Sequence, residues 1–269
     1  MSEPEDKALE QSSDPLADVP PLVTKPATTE DDKIEALKLI ADSVAQQRQY
    51  ANQAVLFHPI TAAVAVALLG IVYQFLYKGS RSDWSLIGTT FAGTLMAALI
   101  SVRRISGGYI DEAEAVGTWK WLDKGIDEAD AAGTSDEVLL SRYDEIPIGA
   151  LVLRGVRDSV NSSPKKGRRQ GSNSKNAPVT GQIRGWTTIN RYRRKGVGAE
   201  LVEEAIRICQ QKGWDGPVIA PDHANSARPL PKVYNGAFDR RQEGAVRLLE
   251  KVKEEMGVGT ASAGRKGKR

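Results

Sequence analysis

A short basic turn with two glycines is the part of this sequence best suited to chemistry. It reads Arg-Arg-Lys-Gly-Val-Gly from Arg193 to Gly198, and the residues after it have the pattern of an amphipathic helix. A helix N-terminus offers backbone N–H groups that the helix does not use, together with the positive end of its dipole. Gly196 and Gly198 permit close approach because they lack a Cβ atom, and Arg193, Arg194 and Lys195 add charge for phosphate oxygens. The turn predicts an anion site able to hold a pyrophosphate, although it matches neither the Walker loop nor the dinucleotide glycine motif.

The elements around this turn are predicted from hydrophobic periodicity. A strand over 181–190 precedes the turn, and a helix follows with Leu201, Val202, Ala205, Ile208 and Cys209 on one face. Cys209 is therefore interpreted as a packing residue. Two apolar runs, 137–142 and 146–154, are separated by Tyr-Asp-Glu and predict an antiparallel pair. A strand over 217–220 and a helix over 240–253 complete the pattern.

Strand, turn and helix together resemble a known family. The run from Arg193 to Ala199 is similar to the Q/R-x-x-G-x-G/A signature of GNAT-family acyl-CoA N-acyltransferases, and 183–189 resembles the fourth strand of that family. The resemblance covers 181–211, with the strand pair before it in the expected order. The segment 41–49, followed by two apolar runs, is also similar to a membrane-bound GNAT subgroup of filamentous fungi.

The resemblance implies a cofactor site and a reaction. Backbone amides of Arg194, Lys195, Gly196, Val197, Gly198 and Ala199 would hold the pyrophosphate of acetyl-CoA, with Arg193 beside them. The backbone of Thr188 and Ile189 would pair with the pantetheine arm, and Asn225 is assigned to the cofactor as well. The implied reaction is direct attack of an amine on the thioester, with a general base and often a tyrosine as general acid.

The candidate catalytic residues lie after the fourth predicted strand. The family's later motif resembles the segment from Asn225 to Phe238, but the spacings differ and two prolines break the expected helix. Tyr234 is the candidate acid; the alternative is that it only packs or makes a structural hydrogen bond. Asp222 and His223 are candidate bases acting through water, and a structural role is the alternative for the histidine.

Composition excludes several other classes of protein. The 269 residues carry 37 basic and 34 acidic side chains, and 41% of them are hydrophobic, which is typical of globular proteins. One cysteine excludes an internal disulfide framework, and the two histidines argue against a histidine-built metal centre, so no metal is expected. The mean hydropathy of −0.36 excludes a transporter with many spans.

Two long stretches without charge predict a membrane hairpin. Residues 49–77 and 84–102 contain no charged side chain, and turn-forming residues lie between them. Each stretch is about the 20 residues that cross a hydrocarbon core, and Tyr73, Tyr77 and Trp84 match an aromatic belt. The alternative is a buried soluble hairpin. The positive-inside rule favours both termini and the acyltransferase domain in the cytosol, with the organelle unidentified.

These patterns predict an α+β fold, a GNAT-like mixed and mostly antiparallel sheet flanked by helices, with a two-helix transmembrane hairpin. The predicted regions are a disordered acidic arm (1–30), an amphipathic helix (31–55), the hairpin (56–104, with helices over 57–77 and 84–102), the acyltransferase domain (105–257, with a disordered basic loop over 160–178) and a basic tail (258–269).

The function predicted from these features is that of a membrane-anchored N-acetyltransferase. It would transfer the acetyl group of acetyl-CoA to an amine acceptor that the sequence does not identify, with the lipid bilayer as a further partner. Two alternatives stay open. One is a catalytically impaired acyl-CoA-binding membrane protein, which the irregular segment after Asn225 favours. The other is a basic binder of anionic lipid or nucleic acid, although no aromatic residues interleave the basic runs for base stacking.

Overall fold

The computed structural model of the chain describes residues 21–79, 83–123, 136–157 and 178–258. Its helices and strands follow in the order β1 (Leu22–Pro26), α1 (Glu30–Leu56), α2 (Pro59–Leu76), α3 (Asp83–Ile105), α4 (Gly108–Val116), α5 (Trp119–Asp123), β2 (Glu137–Tyr143), β3 (Ile146–Arg157), β4 (Val179–Thr188), α6 (Val197–Lys212), β5 (Asp215–Ile219) and α7 (Gly236–Glu255). The predictions for 1–20, for most of the basic loop 160–178 and for the tail 259–269 lie outside the described residues.

The five strands form one sheet in the order in which they occur along the chain. Strands β1 to β4 pair with antiparallel neighbours, and β5 pairs with β4 in parallel. The predicted α+β class with a mostly antiparallel sheet is therefore confirmed.

Both faces of the sheet are covered by helices, which explains the nearly continuous apolar runs of its central strands. Along β3, Ala150 and Val152 belong to a core cluster with α1 and α4. Leu151 and Leu153 alternate with them and pack in a second cluster with α6 and α7. The period of two along the strand thus separates the core into two layers.

The globular part of the chain begins much earlier than the sequence predicted. Strand β1 lies inside the segment predicted to be disordered, and it pairs with β2 along its whole length. Helix α1 is part of the core, since Ala36 and Ile40 are fully buried in the first cluster. A Cβ atom on Gly185 of β4 would lie 2.9 Å from Ile40 Cδ1, so helix and sheet are in direct contact. Segments on both sides of the predicted boundary at residue 105 therefore contribute to one core.

A buried ionic cluster joins α5 to the sheet. The Asp136 carboxylate accepts from Arg154 and, at 2.7 Å, from Arg184 Nη1, and all three side chains are at most 6% exposed. Arg184 also donates to the carbonyl oxygens of Trp121 at 2.7 Å and Leu122 at 3.0 Å. These carbonyls are at the end of α5, where a short helix leaves its acceptors unused.

Helices α2 and α3 differ from the others because their apolar side chains are exposed. Among the described residues, none of α2 is buried, and Ile87 is the one buried residue of α3. Two helical stretches, Pro59–Leu76 and Asp83–Val116, are long and apolar enough to cross a membrane. A buried soluble hairpin would require covering elements, and the described part of the chain supplies none.

Short junctions connect this pair of helices to the rest of the fold. Two residues separate α1 from α2, and two separate α3 from α4. Tyr234, far along the chain, places its hydroxyl 3.2 Å from Thr61 Oγ1 in the first turns of α2, and its ring packs edge-on against His58. The α2–α3 pair is therefore an insertion within the domain, held at its base by tertiary contacts.

Candidate functional site

The basic glycine turn has an unusual backbone. Gly196 caps α6 with a φ of +91°, and Arg194 has a φ of +63°, which is uncommon for a residue with a side chain. A non-glycine residue in this region costs about 1–3 kcal/mol and is typical of functional loops. Tyr192 supports the turn, with Lys195 Nζ above its ring at 5.4 Å from the centroid.

Several backbone amides of the turn are unused by the fold. The N–H groups of Ala199 and Glu200 donate to the carbonyl of Gly196. Within the described residues, no acceptor is found for the N–H groups from 194 to 198. Because α6 is 16 residues long, its dipole places partial positive charge at the same point. The turn therefore presents five donors and three basic side chains to an anion.

Helix α6 is held firmly against the sheet behind this turn. Gly149 of β3 lies so close to the helix that a Cβ atom there would be 3.1 Å from Val197 Cγ1 and 3.0 Å from Leu201 Cδ1. Further along, a Cβ atom on Gly181 would be 2.5 Å from Cys209 Sγ. Burial raises the pKa of the Cys209 thiol to about 11, which agrees with a packing role rather than a nucleophilic one.

Strand β4 has an open edge beside the turn. Its pairing with β5 ends at Ile183, and the last bond on that edge is donated by Ala224 N–H to the carbonyl of Arg184. Ile189 N–H donates to the carbonyl of Ile148 on the β3 side. In an antiparallel pair, the N–H and carbonyl groups of successive residues point in opposite directions. Since Ile189 N–H points toward β3, the backbone N–H and carbonyl groups of Thr188 and Trp186 face the open edge. An extended ligand could pair with β4 there.

This geometry modifies the prediction for the pantetheine arm. The N–H of Ile189 donates to the carbonyl of Ile148, and its carbonyl accepts from Tyr192 N–H, so its N–H is already occupied; its assignment to the pantetheine arm stays a prediction. The carbonyl of Thr188 accepts from Arg193 Nε at 3.0 Å, so Arg193 also helps to shape the turn. Trp186 was missed by sequence reasoning, although the period of two back from Thr188 could have identified it.

Asn225 lies against α1 rather than at the turn. Its Oδ1 accepts from Gln47 Nε2 at 2.6 Å and from Ser43 Oγ at 3.4 Å. These contacts give the asparagine a structural role that sequence reasoning did not detect, because the partners are about 180 residues away. Its assignment to the cofactor stays a prediction.

The three candidate catalytic residues have different surroundings. Asp222 is exposed, three residues after the end of β5. His223 Nδ1 accepts from Asn225 N–H at 3.1 Å, and burial lowers the pKa of this imidazole to about 4. A neutral ring that accepts at Nδ1 carries its proton on Nε2, so this nitrogen is a donor and not a base. Of the two candidate bases, the geometry favours Asp222 acting through water.

Tyr234 is placed by contacts with the inserted helices. Besides Thr61 and His58, it packs beside the cluster formed by Ala51, Val55, Tyr109, Leu230 and Phe238. The described contacts do not join it to the glycine turn, so its role as the acid stays a prediction. Among the described residues, no three His, Cys, Asp or Glu side chains converge to hold a metal ion.

Comparison with known proteins finds one family model that matches part of the chain. Residues 108–228 match the family model described as "Acetyltransferase (GNAT) family". No curated protein sequence matches the chain. The match begins at α4, after the inserted helices, and ends shortly after β5.

Solved structures include two that resemble this one in part. An aminoglycoside acetyltransferase from an uncultured soil metagenomic sample, in complex with trehalose, is 13% identical, with a TM-score of 0.26 over 40% of this chain and 55% of its own. A ribosomal-protein-alanine N-acetyltransferase from Brucella melitensis biovar Abortus 2308 is 15% identical, with a TM-score of 0.26 over 40% of this chain and 60% of its own. The chain thus spans little more than half the length of these structures.

The family match, the open strand edge and the glycine turn at a helix N-terminus all lie in the same part of the molecule. Residues 108–228 therefore match the GNAT acetyltransferase family, whose enzyme class, N-acetyltransferase, is the one predicted from the sequence.

Proposed function

We propose that this chain is a membrane-tethered N-acetyltransferase that transfers the acetyl group of acetyl-CoA to an amine. The observation that carries the proposal is the set of unused amides at the start of α6 beside the open edge of β4. The amides, with Arg193, Arg194 and Lys195, would bind the pyrophosphate of CoA. Trp186 and Thr188 would align the pantetheine arm along the strand.

The reaction proposed is a direct transfer. A neutral amine nitrogen attacks the thioester carbon, a C–N bond forms, the C–S bond breaks, and the thiolate leaves with a proton from an acid. The attacking nitrogen loses one proton to a base. Asp222, through water, is the proposed base and Tyr234 the proposed acid. The chain's main contribution would be to hold the thioester in position, since orientation alone supplies a large share of such a rate.

The tether consists of α2 and α3. Their exposed apolar surface, with side chains such as Val66 at 70% and Phe75 at 74% exposure, supports insertion into a bilayer because water is a poor solvent for it. Arg103 and Arg104 follow α3's apolar stretch, and with Arg48 they favour the cytosolic side for the domain. Protease protection of an N-terminal tag in sealed vesicles would contradict this orientation.

Two glycines that flank α6 allow a matched test of the proposed pyrophosphate site, which is called the cradle below and consists of the backbone amides of residues 194–198. Gly196 and Gly213 both have a positive φ, at the start and the end of the helix, and neither has an atom within 4 Å of an added Cβ. Gly196→Ala and Gly213→Ala should therefore each lose about 1 kcal/mol of stability. We expect only Gly196→Ala to weaken acetyl-CoA binding, roughly tenfold, because it alone alters the backbone donors.

The measurements are acetyl-CoA binding by calorimetry and CoA release across amine and peptide acceptors, both with the full chain in detergent. Equal binding by the two variants would refute the cradle. Normal binding by the unmodified protein with no release of CoA on any acceptor would instead support the second candidate function, a catalytically impaired acyl-CoA-binding protein. The tautomer of His223 and the irregular segment between Asn225 and Phe238 favour that alternative.

A further inference from the structure

A polar cleft lies where the inserted helices join the domain. It has a volume of about 590 Å³, and its walls come from α1, the end of α3 and the start of α4. Its lining residues are Arg48, Ile100, Arg103, Arg104, Gly107, Gly108 and Asp111. Helix α6, which begins at the glycine turn, packs on the opposite face of the sheet from α1 and α4, so this cleft is separate from the proposed CoA site.

The cleft has an excess of positive charge. Three arginines face one carboxylate, that of Asp111. Within the described residues, the guanidinium groups of Arg48, Arg103 and Arg104 have no hydrogen-bond or ion-pair partner, and the Nε atom of Arg48 is buried without one. Burying an unpaired guanidinium nitrogen is unfavourable, so a ligand that accepts hydrogen bonds here would be stabilised.

Several other arginines of the fold are paired with carboxylates. Arg142 binds Asp32 and Glu35, and Arg228 lies beside Asp239. The unpaired three come from two separate helices and meet at one cleft. Two separate helices therefore bring three guanidinium groups to one cleft, where a negatively charged ligand would find several donors.

The position of the cleft along α3 indicates which negatively charged ligand would reach it. Arg103 and Arg104 directly follow Val102, the last residue of the uncharged stretch, and Ile100 lines the cleft one turn earlier. At 1.5 Å per residue, both arginines lie within about 3 Å of the end of that stretch along the helix axis. In a bilayer this is the level of the lipid phosphates.

We propose that this cleft binds the phosphate of an anionic phospholipid. Guanidinium groups suit phosphate because their N–H donors match two of its oxygens at once, and each arginine near an anionic surface improves binding about fivefold. The inference rests on the membrane tether of the proposed function but not on its acetyl transfer. A free phosphate ion shares this chemistry, and the test separates it from the lipid.

The test uses the full chain in detergent, with lipid retention read by native mass spectrometry. Dioleoyl phosphatidic acid is the probe and dioleoyl phosphatidylcholine the comparison. We expect preferential retention of phosphatidic acid, a fall of about fivefold in Arg48→Gln and a larger fall in Arg103→Gln with Arg104→Gln. Arg48→Lys, which keeps the charge but loses the paired N–H donors, should bind more tightly than Arg48→Gln and less tightly than the unmodified protein.

The control is the double variant Arg247→Gln with Lys251→Gln on the exposed face of α7, which removes the same charge elsewhere. Equal losses in the two double variants, or no loss in the cleft variants, would overturn the proposal. Displacement of the lipid by millimolar inorganic phosphate would assign the cleft to free phosphate instead. Circular dichroism checks the fold of each variant, and CoA release, measured separately, shows whether the acetyltransferase proposal fails independently.

Discussion

Tyr234 joins two parts of the molecule that are 173 residues apart in sequence, through its hydroxyl contact with Thr61. Tyr234→Phe and Thr61→Val both remove this hydrogen bond, but only the first removes the phenol. If Tyr234 supplies the proton to the leaving thiolate, we expect kcat of Tyr234→Phe to fall about 100-fold while Thr61→Val keeps nearly full turnover. Steady-state kinetics and thermal unfolding of both variants measure this. Similar losses of stability with unchanged kcat in both would leave the tyrosine a purely structural role.

His223 makes the stability of the domain depend on pH. Burial lowers the pKa of this imidazole to about 4, Asp222 raises it, and Arg228 lowers it further. The pKa of an unfolded histidine is about 6.5. Between these values the unfolded state binds a proton that the folded state does not, so stability should be greatest above pH 6.5 and fall as the pH drops toward 4.

His223→Asn should remove this pH dependence. Unfolding midpoints in urea, measured from pH 4 to pH 8, are expected to decline less steeply for the variant than for the unmodified protein. Above pH 7 the imidazole is neutral in both the folded and the unfolded state. The difference in unfolding midpoint between the variant and the unmodified protein should therefore be constant there. Parallel curves over the whole range would show that His223 titrates normally in the folded protein.

At the scale of elements, Asp136 attaches α5 to the sheet through two arginines. Asp136→Asn would leave the guanidinium groups of Arg154 and Arg184 buried without a full counter-charge. Burial lowers the pKa of Arg184 and the Asp136 carboxylate raises it, so the substitution removes the group that favours the charged form. Removing one partner of such a buried cluster costs about 3–5 kcal/mol. The matched control is Glu203→Gln, whose exposed pair with Arg207 should be worth less than about 1 kcal/mol.

Chemical unfolding of these two variants measures the difference in free energy. A loss for Asp136→Asn no larger than that for Glu203→Gln would mean that water or another group compensates the arginines. The sequence offered no signal for this cluster. Asp136 precedes β2, whereas Arg154 lies in β3 and Arg184 in β4, and no periodicity relates these three positions.

Individual elements were predictable where one local pattern determines them. The antiparallel pair predicted over 137–142 and 146–154 corresponds to β2 and β3, and the helix after the glycine turn corresponds to α6. The start of α7 was placed four residues too late, at 240 instead of Gly236. The prolines before it stop the preceding segment from forming a helix but do not mark where the next helix begins.

At the scale of the whole molecule, the domain is built from segments on both sides of the inserted helices. A fragment that begins at residue 105 lacks β1 and α1, and with this part of the chain it loses four of the twelve buried residues of the first core cluster: Ala27, Ala36, Ile40 and Val44. We expect this fragment to aggregate or remain unfolded. A chain in which 57–106 is replaced by a flexible linker of about six residues should fold, because Val55 and Tyr109 belong to one cluster and the gap is short.

Circular dichroism and acetyl-CoA binding distinguish these two shortened chains. Carbonate extraction of membranes adds a test of the tether: the full chain should remain in the pellet, and the linker variant should appear in the supernatant. Release of the full chain by carbonate would contradict the membrane hairpin. A folded, CoA-binding fragment from residue 105 would contradict the role assigned to α1.

The sequence by itself determined what depends on neighbours along the chain. The glycine turn, the strand before it, the helix after it and the two uncharged stretches each follow from patterns within one short, continuous segment of the chain. Only the tertiary structure decided that α1 and β1 complete the core, that Asn225 binds α1, that Ile189 has no free amide and that three arginines share a cleft. An apolar or polar pattern shows which side of an element needs a partner, but the partner is selected by packing between residues that are distant in sequence.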